Sequence, residues 1–199
     1  MKNVFNIEPD YATVPEVSFL SSRDEIYFPG TIKLIEVINK PIRTVNYTYT
    51  CLGKVDEITI TTFFNDRKGK VESFLLPIWD NFYEALIPFT AGNNYINIKH
   101  CNAHEIYNPL ELIYVCNLHN ILSYFQIEKI EEIDEDIERI TFINYIEDTI
   151  ELNQIKFLSS VLLVRFNQDE CTFLFDTTYN SKVTLSFIEL PNEHVDMEL

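Results

Sequence analysis

The stretch Arg43-Thr44-Val45-Asn46-Tyr47-Thr48-Tyr49-Thr50 sets Val45, Tyr47 and Tyr49 against Thr44, Asn46, Thr48 and Thr50 with a period of two. A period of two in β-branched and aromatic residues predicts a strand with one face turned to a core. The pattern recurs upstream in Thr31-Ile32-Lys33-Leu34-Ile35-Glu36-Val37, after Pro29-Gly30. With Asn39-Lys40-Pro41 supplying turn chemistry between them, the two runs read as neighbouring antiparallel strands.

Downstream, similar runs return every roughly 8 to 14 residues. They cover Val71 to Trp79, Phe82 to Ile87, Tyr95 to Lys99, Leu112 to Cys116, Ser123 to Ile130, Glu138 to Ile143, Thr149 to Leu152, Phe157 to Phe166, Cys171 to Asp176 and Val183 to Leu190. Turns are expected at Thr90 to Asn94 and at Asp176 to Ser181, and a loop over His104 to Pro109. One segment reads differently. In Lys54 to Arg67, Val55, Ile58, Thr62 and Phe63 keep helical spacing although Ile58 to Thr61 alternates, and a short helix is preferred, closed by Asn65-Asp66-Arg67-Lys68-Gly69. The fold class is therefore mainly β: a barrel or sandwich of short antiparallel strands with one short helix. No repeat or linker interrupts it. The chain reads as a single β-rich domain over 1–199, and a division into two subdomains would fall near 104–110.

Composition narrows the function. The 199 residues are 46% hydrophobic, with fifteen Phe and eleven Tyr against four Gly, enough to build a core. Thirty-one Asp and Glu oppose fifteen Lys and Arg, a formal charge of -16 that repels phosphate backbones and argues against nucleic-acid and anionic-membrane partners. No apolar run approaches the roughly 20 residues of a membrane span. The N-terminal MKNVFNIEPDYATVPEV lacks the hydrophobic region of a secretory signal, so a cytosol-like site of synthesis is expected.

Candidate chemistry is sparse. Cys51, Cys101, Cys116 and Cys171 form no paired spacing, which predicts four unlinked thiols and no bound metal. His100-Cys101 and His104 are the one Cys/His cluster, but adjacent residues on an extended segment diverge. His104-Glu105 also lacks a second His at helical spacing. The cluster reads as a structural loop. Seven carboxylates lie between Glu128 and Glu138, yet Arg139 and Tyr145 stand where a calcium loop needs Gly and Glu. That segment reads as a polar hairpin end between strands whose Ile127, Ile130, Ile140 and Phe142 face inward. Gly30, Gly53, Gly69 and Gly92 are too isolated to cradle a phosphate, and GxSxG and GxGxxG are absent. No catalytic, cofactor-binding or metal residue is assigned, and an enzyme is not expected.

Three stretches carry a resemblance. Val71-Glu72-Ser73-Phe74-Leu75-Leu76-Pro77-Ile78-Trp79-Asp80-Asn81-Phe82, followed by Ile87-Pro88-Phe89-Thr90-Ala91-Gly92, resembles the minor tail and distal tail proteins of tailed bacteriophages. Pro41 to Tyr49, ahead of Phe63-Phe64 to Gly69, is similar to their Pro-Arg-x-x-x-x-Tyr-x-Tyr strand, with Ile42 before Arg43 where a second Arg is frequent. Leu163 to Asp169 and Thr184 to Leu190 resemble their closing strands. The resemblance implies a virion protein, assembled in the host cytoplasm, that forms a ring of identical subunits in the tail tip or baseplate. Such a ring joins the tail tube to the host-recognition apparatus, with tube, hub or fibre proteins as partners and no cofactor. Trp79, Phe82 and Tyr83 would be either core or interface anchors. Two other readings remain open: a head-proximal tail terminator or connector, and an acidic binding protein that mimics nucleic acid.

Overall fold

The alternation that opens the sequence becomes the centre of the fold. The structure, a computed structural model, describes residues 4–10, 16–20, 23–28, 31–36, 42–106, 111–177 and 179–190. In chain order the strands are β1 (Glu16–Leu20), β2 (Arg23–Phe28), β3 (Thr31–Glu36), β4 (Ile42–Leu52), β5 (Phe74–Pro77), β6 (Tyr95–Lys99), β7 (Leu112–Asn117), β8 (Leu122–Asp134), β9 (Ile137–Phe142), β10 (Ile155–Phe166), β11 (Phe173–Phe175) and β12 (Asn180–Glu189). The helices are α1 (Lys54–Asp66) and α2 (Ala103–Ile106), with a 3-10 turn at Leu152–Gln154. The protein is mainly β, as the spacing predicts. Among the described residues ten strands share one antiparallel sheet, and β2 and β3 form a second, two-stranded one. Contacts divide the chain into two compact units, 1–76 with 163–199, and 77–162. The boundaries fall at 76/77 and 162/163, so the 104–110 stretch lies inside the second unit.

In the first unit β4 lies between β1 and β12, aligned with β12 from Asn180↔Leu52 to Ile188↔Thr44. Val45, Tyr47, Tyr49 and Cys51 are buried, as are Val183, Leu185 and Phe187 opposite them. Phe5, Phe74, Phe166 and Phe187 complete an aromatic core in which Phe74 and Phe166 approach to 4.7 Å, as do Phe64 and Phe166. Edge-on and tilted ring pairs of this kind add to the burial of the rings themselves. The sheet corrects one expectation: β3 pairs with β2, from Arg23↔Glu36 to Phe28↔Thr31, and not with β4. The proposed turn at 39–41 lies outside the described residues.

Helix α1 forms where it was expected. Gly53 precedes it at φ 111°, and Asp56 and Glu57 in the first turn complement the positive end of the helix. Ile60 and Phe64, one turn apart, are its buried residues.

The second unit is built on β6 to β9 and the first part of β10. β7 pairs with β10 and β8, while β9 lies between β8 and β6. Phe89, Ile96, Ile98, Ile113, Val115, Ile127, Ile140, Phe142 and Leu158 are completely buried in its core, and Ile130 nearly so. Leu112 to Cys116 is buried without a break, the pattern of a strand covered on both faces.

Three strands shrink. Val71 to Trp79 narrows to β5, because from Ile78 onward the chain bonds to β10 through side chains as well as backbone. Ile78 N donates to Ser160 O (3.0 Å), Leu158 N donates to Asn81 Oδ1 (3.3 Å), and the Ser159 hydroxyl donates to Asp80. Phe82 to Ile87 keeps a single bridge, Ala85↔Ile98, before Pro88 stops it, and Thr149 to Leu152 keeps only Phe89↔Ile150. The expected loop from His104 opens instead with α2. The hairpin of β11 and β12 forms as expected, from Phe173↔Val183 to Phe175↔Ser181.

Candidate functional site

In an antiparallel strand every second side chain shares a face, so Glu138 is in phase with Ile140 and Phe142 on β9. All three are completely buried. A carboxylate placed there needs donors, since an unpaired buried charge is costly. The turn from β6 into α2 supplies them. Glu138 Oε2 accepts from Cys101 N at 2.9 Å, Cys101 Sγ at 3.5 Å and Ala103 N at 3.2 Å. Oε1 accepts from His104 N at 2.9 Å and His104 Nδ1 at 2.5 Å. The other imidazole nitrogen, Nε2, lies 3.9 Å from Glu132 Oε2.

The electrostatics follow from this geometry. Burial works against ionisation of Glu138, yet the N–H groups of His104, Cys101 and Ala103, with the His104 ring, hold its carboxyl down at about 2. His104 is raised, first by its hydrogen bond to Glu138. The Cys101 thiol is pushed up to about 11 by burial, and further by the Glu138 charge and the hydrogen bond it donates. An activated cysteine needs the reverse: a base on its sulfur and a positive setting. Here thiol and imidazole are both donors to one carboxylate. The arrangement can pin a turn with an ion pair; it does not generate a nucleophilic thiolate.

Cys101 and His104 thus converge on a third residue, Glu138, which the reading of the cluster as a structural loop does not name. His100 makes no bond to Glu138 among the described residues; its Nε2 lies 3.0 Å from Asn102 Oδ1, and its ring sits edge-on to that of His104 with centroids 5.8 Å apart. By sequence Glu138 falls with the solvated acids of the hairpin end; the structure buries it, and its parity with Ile140 and Phe142 is the signal that it faces inward. The rest of that reading holds: Glu128, Glu131, Glu132, Asp134, Glu135 and Asp136 are exposed.

The four cysteines are free thiols, Cys51 and Cys116 buried, Cys101 and Cys171 half-buried. Among the described residues no group of three or more His, Cys, Asp or Glu is arranged to hold a metal, and no helix is long and apolar enough to cross a membrane. Trp79 and Tyr83 are core residues, whereas Phe82 between them is 44% exposed. No protein-family model matches the chain, and no curated protein is detectably similar to it.

Proposed function

We propose that this chain is a structural subunit of a bacteriophage tail tip or baseplate, one copy in a ring that joins the tail tube to the host-recognition apparatus. The observation that carries the reading is where the resembling stretches lie. Pro41 to Tyr49, Phe74 to Pro77 and the two closing strands are far apart in sequence, yet they supply β4, β5, β12 and the end of β10. Phe74, Phe166 and Phe187 from three of these stretches pack ring against ring. Beyond Phe74 to Pro77 the resemblance continues through Ile78 to Phe82 and Ile87 to Gly92 in the second unit, where Phe89 is buried in the core, so the resembling stretches supply core residues to each unit.

The β2–β3 ribbon supports a role in assembly. Neither strand has a further strand partner among the described residues. A two-stranded ribbon is marginal alone in water, and its open edges can take a strand from a neighbouring chain. In a ring, each copy presents two different faces to its neighbours.

Antibody labelling of purified particles, with mass spectrometry of their proteins, tests the proposal. Label at the end of the tail distal to the head supports it. Label at the head-proximal end replaces it with the terminator or connector reading, and absence from purified particles overturns both.

A further inference from the structure

Along α1, Val55, Ile58, Thr59, Thr62 and Asp66 fall on one stripe, and all five are exposed, Val55 at 77% and Ile58 at 61%. An outer helix face of a chain with 23% charged residues would ordinarily carry Lys, Glu or Gln, which also favour helix. Here it carries β-branched residues that cost helix propensity, and its one charge stands at the end. Beside the stripe runs a groove of about 480 Å³, closed on its far side by residues 4–7. Val4 and Phe5 are held there on β5, with Phe5 N donating to Leu75 O at 2.8 Å. Phe5, Ile7, Ile58 and the half-buried ring of Phe63 make the walls apolar, and Asp66 is the one charged side chain in the lining. Uncharged centre and polar rim are the anatomy of a protein interface.

We infer that this stripe and groove bind a segment of a partner protein that places apolar side chains in the groove and a Lys or Arg against Asp66. Charge selects this occupant. Asp66 is the one charge in the lining and is complemented by a Lys or Arg, and a formal charge of -16 over the whole chain favours a basic segment over an acidic one. The inference takes the role as an assembly subunit as given and names how one neighbour attaches.

The test titrates the full chain with a short capped peptide of leucine and lysine, read by amide chemical-shift mapping and by fluorescence. Shifts are expected at residues 4–7 and along α1. Ile58→Arg should weaken binding about ten-fold or more, as loss of a central anchor does, and Asp66→Asn several-fold. Val71→Arg, the same charge change at a 70% exposed position outside the groove, should alter it less than about two-fold. Thr62→Arg provides a second obstruction at an exposed site. Equal effects of Ile58→Arg and Val71→Arg would overturn the inference, as would equal binding of a leucine–glutamate peptide or shifts spread over both units. Concentration-dependent mass abolished by Ile58→Arg would put a second copy in the groove and equally overturn it. Particle labelling is independent of all these readouts, so a failure here is distinguishable from a failure of the tail assignment.

Discussion

Glu138 couples pH to stability in a defined direction. Its folded carboxyl lies at about 2 against an ordinary 4.5, so its contribution is fully present above 4.5 and is lost as pH falls toward 2. The difference corresponds to about 3 kcal/mol. His104 has the opposite sign: raised in the fold, it contributes below its unfolded value near 6.5 and loses that contribution as pH rises through the folded one. The pair should therefore stabilise most between about pH 4.5 and 6.5. Urea midpoints measured across the acid and neutral range should show it, with Glu138→Gln losing the acid-side slope and about 2 kcal/mol near neutrality. An acid limb unchanged in Glu138→Gln would count against the arrangement. Cys101 offers a second readout. With its thiol at about 11, alkylation near pH 8 should be about 100-fold slower than that of a free thiol, and Glu138→Gln should accelerate it, as peptide mass mapping can follow.

At the scale of elements, α1 depends on the residue before it. Gly53 sits at φ 111° and ψ -179°, backbone territory that belongs to glycine, and a Cβ built there meets nothing within 4 Å. Gly53→Ala should thus cost about 1–3 kcal/mol purely in backbone strain, without a clash. A thermal unfolding midpoint equal to that of the parent would show that the β4–α1 corner relaxes to another conformation. The β7–β8 hairpin is secured differently, by the Asn117 side chain, whose Oδ1 accepts from His119 N at 2.9 Å and Ile121 N at 3.0 Å. Asn117→Ala should cost about 1 kcal/mol, measured by the same midpoint.

For the molecule as a whole, a charge of -16 decides how copies can meet. In the ring proposed above, like-charged copies repel and salt screens that repulsion beyond about 8 Å, so apolar and backbone contacts would have to supply the attraction. Self-association followed by light scattering should strengthen or hold as ionic strength rises from low to moderate. Collapse over that range would mean that ion pairs, and not apolar contacts, hold the proposed ring together. How much of the molecule was legible follows from the range of each interaction. Periodicity is local, so the run from Arg43 to Thr50 declares its buried face and the spacing of α1 declares a helix, whereas the parity of Glu138 with Ile140 is masked by the six exposed acids beside it, which make it read as part of a solvated hairpin end. Pairing is not local. β4 joins β12 across more than a hundred residues of chain, and β3 turns to β2 because a strand's pattern states which face it buries but not which edge it shares. The donors that ionise Glu138 come from Cys101, Ala103 and His104, and only tertiary structure could bring them within hydrogen-bond distance. The sequence by itself determined a β-rich chain and the buried face of strands such as β4, because side-chain alternation is written residue by residue; the tertiary structure alone decided partners, and that α1 buries Ile60 and Phe64 while Val55, Ile58 and Thr62 stay exposed, because hydrogen-bonded edges and the packing of a helix carry no local record.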